Sequence, residues 1–308
     1  MKKFPTVIKD ALVGFAIGVA VIIPGISGGT IALIFKSFDK IVEAVSGLFK
    51  SFKSFWKNLL ILLPYGIGAI LAVAGLYVPF TLAFEHCMLA LVCLFVGFII
   101  GSYPGVIDNV KGQKPTKINI TLLIIGFIIS ALIGVLSVLF NFNETINTLF
   151  NEPKWYLFII VFVVGLVSSS GLIVPGLSGS LILLVIGFYM PIFALPKKII
   201  QNENILANIG LFLTFAVGVA IGFVIISKLM NHLIKKHYQS TMYAVIGFIG
   251  GSLISIFVNS NMFEYFNTKV DMTLDFILFP IFLIVGIVVA YLMVIYVRKH
   301  KKIENQNA

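Results

Sequence analysis

The chain has 308 residues, of which 59% are hydrophobic and 11% are charged, and its mean hydropathy is +1.09. A soluble domain carries about 25% charged residues, so the composition excludes a soluble globular protein and predicts an all-α polytopic membrane protein. The net charge of +10 comes mostly from lysines that flank apolar segments, a pattern of membrane topology rather than of nucleic-acid binding.

Eight apolar segments follow one another along the chain, and two of them are interrupted. Segments 11–35 and 155–195 contain the breaks Pro24-Gly25 and Pro175-Gly176. The first segment lacks a small-residue cleavage site, so we expect no cleavable signal peptide. The uninterrupted segments are long enough to span a bilayer as single helices; they are 59–82, 88–107, 118–140, 205–227, 241–258 and 274–297.

The two breaks carry one motif, PGISGGT at residues 24–30 and PGLSGS at residues 175–180. A broken helix in lipid frees backbone polar groups, which only protein, a cavity or a ligand can satisfy. Matching breaks in two halves of a chain are the best sequence indication of a transporter's binding site. The alternative, a kink lined with small residues for packing, explains one copy better than two.

Small residues recur in the same order about 150 residues apart, which predicts two membrane repeats, 1–152 and 153–308, that form one integral membrane domain. The repeated Gly-x-x-x-Gly pattern also indicates close helix contacts. The recurring pairs are Gly14 and Gly165, Gly68 and Gly218, Gly97 and Gly247, and Gly101 and Gly251.

Lysine-rich loops predict which parts of the chain are cytoplasmic. These are the N-terminus, the loops 36–58, 108–117 and 228–240, and the C-terminus. They fit two inverted repeats, each with a broken re-entrant helix pair followed by three transmembrane helices, and place both termini in the cytoplasm. Lys197 and Lys198 are the exception, because this arrangement places them outside.

The motif itself predicts an anion site. Proline ends one helix, and Ser27 is placed to cap a helix beginning at about Gly28. A helix start offers free N–H groups, and hydroxyl groups add donors at Ser27, Thr30, Ser178 and Ser180. No metal, cofactor or catalytic residue is predicted, since the broken segments contain no Glu, His or Arg.

The paired motif and the span pattern resemble the bacterial polyprenyl-phosphate transporter family, domain of unknown function 368 (PopT-type). The resemblance implies translocation of undecaprenyl phosphate, the lipid carrier of cell-wall precursors, across the cytoplasmic membrane for reuse. It implies no enzymatic activity. By motif position, the implied substrate-binding residues are Pro24, Gly25, Ser27, Gly28, Gly29, Thr30, Pro175, Gly176, Ser178, Gly179 and Ser180.

Two alternatives stay open at this point. A small-anion transporter or channel would use the same helix ends. An undecaprenyl-diphosphate phosphatase shares the broken segments, but in such phosphatases an Arg follows the motif serine, where this chain has Gly28 and Gly179. For a transporter, moving a negative head group inward opposes the membrane potential, so we expect a proton or sodium ion as coupling partner.

Overall fold

A computed structural model describes residues 6–25, 28–35, 37–48, 51–140, 142–172, 178–258 and 260–307. These ranges are helical with short turns and contain no strand, which confirms the all-α prediction. In chain order the helices are α1 (Thr6–Ile22), α2 (Gly28–Ile34), α3 (Phe38–Gly47), α4 (Phe52–His86), α5 (Met88–Ile107), α6 (Lys117–Leu139), α7 (Phe142–Asn151), α8 (Trp155–Ser168), α9 (Gly179–Val185), α10 (Tyr189–Ile200), α11 (Ile205–Phe257), α12 (Ser260–Thr268) and α13 (Thr273–Asn307).

Six helical segments within the described ranges are long and apolar enough to cross a membrane. They overlap the six uninterrupted spans that the sequence predicts, so the protein is a multi-pass membrane protein. The first interrupted segment contains α1 and α2, and the second contains α8, α9 and α10. Helices α9 and α10 meet at 103°. The six segments are Phe52–His86, Met88–Val110, Lys117–Leu139, Ile205–Ile226, Lys236–Thr268 and Thr273–Lys299.

The predicted connection at 228–240 joins two separate spans, Ile205–Ile226 and Lys236–Thr268, but it is helical rather than an open loop. Only His237 has non-helical backbone angles (φ −137°, ψ 42°), and the chain kinks there. Long lysine side chains allow a helix to continue beyond the bilayer, since their charged ends reach water while their stems stay on apolar surface. The first half of α11 then runs beside α8 and the second half runs beside α6.

Glycines bring the long helices together in close pairs, as the repeated Gly-x-x-x-Gly pattern predicts. A Cβ atom at Gly97 would lie 2.4 Å from the carbonyl oxygen of Leu283, and one at Gly247 would lie 2.0 Å from that of Leu123. No side chain fits at such distances without moving the backbone. The close pairs are α5 with α13, α6 with the second half of α11, α1 with α4, and α8 with the first half of α11.

Ion pairs and hydrogen bonds define two ends of the helical bundle. The basic end contains residues 51–58, 108–119 and 236–240, together with Arg298, whose guanidinium lies 2.5 Å from Asp108. Lys40 lies 2.5 Å from Asp10, so α1 and α3 meet at this end. The first broken segment therefore starts and finishes at the basic end.

The opposite end contains residues 85–88, 142–155, 197–208 and 260–272. Lys197 lies 3.6 Å from Glu85, and Lys198 donates to Asn151 at 2.9 Å. The second broken segment starts and finishes at this end, since α10 returns to the loop before α8. Lys197 and Lys198, the exceptions to the charge pattern, thus lie beside an acidic side chain and a polar side chain, respectively.

Candidate functional site

The first motif makes a turn at the end of α1. Pro24 and Gly25 are buried, and Gly25 has a φ of +93°, a conformation that favours glycine. A Cβ atom at Gly25 would also lie 2.6 Å from the Ile99 side chain of α5. Ser102 donates a hydrogen bond to the Gly25 carbonyl oxygen at 3.3 Å. Glycine is therefore required here by both backbone angle and space.

Helix α2 begins at Gly28, as the sequence predicts, and turns back along α1. A Cβ atom at Gly28 would lie 3.3 Å from the side chains of Ile17 and Val21, so α2 packs on the last turns of α1. Gly29 is half-buried. Ser27 and the side chain of Thr30 lie outside the described residues.

The second motif starts α9 in the same way. Ser178 precedes the helix in an extended conformation (φ −115°, ψ 136°), but its side chain makes no capping hydrogen bond. Its hydroxyl instead pairs with that of Ser180 at 2.7 Å, and both side chains are buried. A Cβ atom at Gly179 would lie 2.7 Å from the Ser168 carbonyl oxygen. Pro175 and Gly176 lie outside the described residues.

A cavity of about 260 Å³ lies between the two broken segments. Gly28 of the first motif and Ser178, Gly179 and Ser180 of the second motif all border it. Helices α1, α4, α8, α10 and α11 complete its walls. The structure therefore brings two motifs, about 150 residues apart in the sequence, to one shared cavity.

The cavity has one polar corner. Ser178, Ser180, Ser168 and Ser169 lie there. The hydroxyls of Ser168 and Ser169 donate to carbonyl oxygens one turn earlier, at 2.9 and 2.6 Å. The Ser178–Ser180 pair has no such carbonyl partner among its described hydrogen bonds. Among the described residues that border the cavity, none is Asp, Glu, Lys, Arg or His.

Three aromatic residues also border the cavity, and the sequence analysis did not predict them. Phe193 stacks between Tyr77 of α4 and Tyr189 of α10, with ring centroids 5.1 and 5.8 Å away. We call these three residues the aromatic wall. The Tyr189 hydroxyl donates to the Ile22 carbonyl oxygen at 2.8 Å, which connects α10 to the end of α1. The spacing of Tyr189 and Phe193 on one helix face was the available sequence signal.

Two buried carboxylates lie outside this site, and the sequence analysis did not single them out either. Asp10 accepts hydrogen bonds from Lys40 at 2.5 Å and from Tyr65 at 2.7 Å. Partial burial lowers the pKa of Lys40, but the hydrogen bonds and charge interactions with Asp10 and Tyr65 together outweigh it, and the pKa of Lys40 is raised.

The second carboxylate, Asp275, is fully buried at the start of α13. It accepts a hydrogen bond from the Tyr265 hydroxyl at 2.5 Å and one from the backbone N–H of Ala90 at 3.1 Å. Since Ala90 lies in the first turn of α5, Asp275 satisfies one of the free N–H groups there. It therefore connects α5, α12 and α13 at the opposite end.

The sequence matches the VCA0040-like family, described as undecaprenyl phosphate translocase-like, over residues 17–274. The chain belongs to this family. A polyprenyl-phosphate transporter of Staphylococcus aureus is 31% identical over 272 residues, which cover 87% of this chain and 93% of the relative. A polyprenyl-phosphate transporter of Vibrio cholerae is 27% identical over 256 residues, which cover 80% and 76%. No solved structure matches the chain.

Proposed function

We propose that this protein moves undecaprenyl phosphate across the bacterial cytoplasmic membrane, so that the lipid carrier is reused in cell-wall synthesis. Family membership and the two relatives named polyprenyl-phosphate transporter support the substrate class. The observation that carries the proposal is the shared cavity, which Gly28 and the Ser178–Ser180 pair border together. A site built from both halves of a chain is the expected place for a transported substrate.

The phosphate group lies at the polar corner in this proposal. Ser178 and Ser180 donate hydroxyl protons, and the backbone N–H groups at the starts of α2 and α9 supply further donors. The neighbouring motif residues complete the site by shaping the turns and by adding donors; they are Pro24, Gly25, Ser27, Gly29, Thr30, Pro175, Gly176 and Gly179.

Transport proceeds by alternating access between two inverted repeats, 1–152 and 153–308. The entry of the first broken segment at the basic end and of the second at the opposite end supports this arrangement. The recurrence of the helix starts supports it too, since α2 and α9, and likewise α3 and α10, begin about 150 residues apart. With the basic end in the cytoplasm, both termini are cytoplasmic and the cavity lies in the outer half of the membrane.

Inward movement of the phosphate needs a source of free energy. One negative charge moving toward an inside-negative compartment costs about 2.3 kcal/mol per 100 mV. The described cavity lining offers no cationic side chain to offset that charge. A proton or a sodium ion that enters with the lipid offsets it instead, so transport should slow when both ion gradients are collapsed.

The cavity favours transport over the two alternatives. Phosphatase chemistry needs an acid or base and a cation beside the phosphate, and the described lining has neither. A pathway for a small hydrated anion needs polar walls, whereas most described residues bordering this cavity are apolar.

Reconstitution in liposomes with a leaflet-specific probe of undecaprenyl phosphate tests the proposal. The variants are Ser178→Ala, Ser180→Ala, the double substitution and Ser27→Ala. Ser170→Ala is the matched control, because Ser170 lies in the adjacent turn, bonds the Val167 carbonyl oxygen and does not border the cavity.

A hydrogen bond to a charged group contributes about 1.5–3 kcal/mol, so the double substitution should weaken apparent affinity by roughly 10- to 100-fold. Ser170→Ala should leave the affinity unchanged. Wild-type rates in the Ser178→Ala, Ser180→Ala double variant would contradict the placement of the phosphate. Absence of undecaprenyl phosphate movement by the wild-type protein would contradict the function itself.

A further inference from the structure

The cavity is divided into a polar part and an apolar part, and only the polar part is assigned so far. The Ser178–Ser180 pair borders the polar part, and the aromatic wall of Tyr77, Phe193 and Tyr189 borders the apolar part. A ligand that contacts both parts must carry an anionic group and an apolar group. Inorganic phosphate would leave the aromatic wall without a partner.

The cavity also reaches the surface that faces lipid. Phe212 of α11 borders the cavity and is 44% exposed. Leu213 and Val217 of the same helix are 56% and 50% exposed, so this part of α11 lies on the outer surface of the helical bundle. Within the described residues, α4 packs along α1, and α11 packs along α8 and α6, whereas α4 and α11 do not pack along each other.

Apolar side chains of both α4 and α11 border the cavity. Val73 and Tyr77 lie on α4, and Phe212, Phe215 and Val219 lie on α11. Tyr77 lies nine residues before the end of α4 at His86, so this part of the cavity lies about 13.5 Å below the opposite end of the bundle. That depth is within the hydrocarbon of one leaflet.

We propose that the aromatic wall is a subsite for the first isoprene units of the substrate, and that the prenyl chain leaves the cavity through the gap between α4 and α11. This proposal rests on the proposed function, because it assigns the chain of the same lipid. The cavity volume of about 260 Å³ is small beside a chain of eleven prenyl units, so most of the chain stays in the bilayer.

The shape of the wall favours an isoprenoid over an acyl chain. Each isoprene unit contains a flat, methyl-substituted double bond, which fits against the face of an aromatic ring better than a saturated methylene run does. Phe193 is the central residue of the wall, because its ring contacts both Tyr77 and Tyr189, so its replacement changes the whole wall.

Competition in the liposome assay tests the subsite. The probes are farnesyl phosphate, saturated dodecyl phosphate, phosphatidic acid and inorganic phosphate, each added against undecaprenyl phosphate. For the wild-type protein we expect farnesyl phosphate to compete best and inorganic phosphate worst. For Phe193→Leu we expect the preference for farnesyl over dodecyl phosphate to fall by about 2- to 10-fold, the range that an aromatic contact contributes.

The matched control is Phe188→Leu, one turn earlier on the same segment. Phe188 contacts Phe150, with ring centroids 6.2 Å apart, and does not border the cavity. Its substitution should leave the competitor preference unchanged. An equal loss of preference in both variants, or equal competition by phosphatidic acid and farnesyl phosphate, would overturn the assignment of an isoprenoid subsite.

Photolabelling of the unmodified protein supplies a second measurement that does not depend on a variant folding. A polyprenyl phosphate with a diazirine in its first isoprene unit should label α4 near Val73 and Tyr77 and α11 near Phe212 and Val219. Labelling confined to α6 or α13 would overturn the proposal. If Ser178→Ala impairs transport but the label is found outside α4 and α11, the result contradicts the tail subsite and still supports the phosphate site.

Discussion

The hydrogen bond between Tyr189 and Ile22 is the most direct place to test how the two broken segments are connected. The Tyr189 hydroxyl donates to the Ile22 carbonyl oxygen at 2.8 Å, and the Tyr189 side chain is only 4% exposed. Ile22 is the last residue of α1, so its carbonyl group has no partner within that helix. The substitution Tyr189→Phe keeps the ring and its stacking on Phe193 while it removes this one bond.

The loss leaves a buried carbonyl group unpaired, which costs about 1–3 kcal/mol. Because the bond joins α10 of the second broken segment to α1 of the first, we expect the proposed alternating access to break it. Tyr189→Phe should therefore shift the equilibrium away from the described conformation by about 5- to 150-fold. We expect Tyr189→Phe to change the transport rate by a larger factor than its loss of thermal stability alone would cause.

Accessibility of Pro196→Cys to a membrane-impermeant maleimide measures that equilibrium. Pro196 borders the cavity near the opposite end, and the two native cysteines, Cys87 and Cys93, are buried and can be replaced by alanine in the background variant. A maleimide added on the side of the opposite end should label Pro196→Cys more slowly when Tyr189→Phe is also present. An unchanged labelling rate would refute the reasoning, since the bond would then stabilise both conformations equally.

Tyr103→Phe is the control for this experiment. The Tyr103 hydroxyl also donates to a backbone carbonyl oxygen, that of Ile246 at 3.2 Å, but Tyr103 does not border the cavity. It joins α5 to the second half of α11. The substitution should lower the thermal unfolding midpoint and leave the labelling rate of Pro196→Cys unchanged.

Three further predictions concern stability, measured as the thermal unfolding midpoint in detergent. Gly247→Ala should destabilise by about 1–3 kcal/mol, because its Cβ would lie 2.0 Å from a carbonyl oxygen of α6; Gly75→Ala, with nothing within 4 Å, should not. Asp275→Ala should cost about 1–3 kcal/mol for each partner left unpaired, and Asp275→Asn should cost less. Lys40→Ala should destabilise by less than the roughly 3–5 kcal/mol of a fully buried pair, and adding Asp10→Asn should restore part of the loss.

The membrane spans and the positions of the helix breaks were predictable because they depend on local sequence. Apolar runs of sufficient length predict spans, and Pro24 with Gly25 predicts the turn that the structure has after α1. Glycine spacing predicted the close approaches at Gly97 and Gly247 for the same reason, since only a residue without a side chain fits there. Each of these signals is contained within a few turns of one helix.

The buried carboxylates and the aromatic wall were not predictable because their partners are distant in sequence. Asp275 pairs with the backbone of Ala90, and no pattern near either residue indicates the other. Tyr77 and Phe193 stack only because α4 and α10 come together across the two halves. The kink at His237 escaped prediction because lysines near a span end look the same in a loop and in a helix that extends into water.

The two broken segments share a motif but are anchored differently, and this difference explains why the described cavity lies on one side. In the first half, a charged and hydrogen-bonded group of Asp10, Lys40 and Tyr65 joins α1, α3 and α4 at the basic end. In the proposed second repeat the matching positions, about 150 residues later, are apolar; they are Val161, Pro191 and Phe215.

Because apolar packing is not directional, helices of the second half can separate without leaving polar groups unpaired, whereas opening the first half would uncover the buried carboxylate of Asp10. Phe215 accordingly borders the cavity, while Tyr65 stays buried against Asp10. Opening toward the basic end in the proposed cycle therefore requires the Asp10–Lys40 contact to break or to become solvated. Lys40→Ala should speed labelling of the cavity from the basic end, and an unchanged rate would mean that this contact only stabilises the fold.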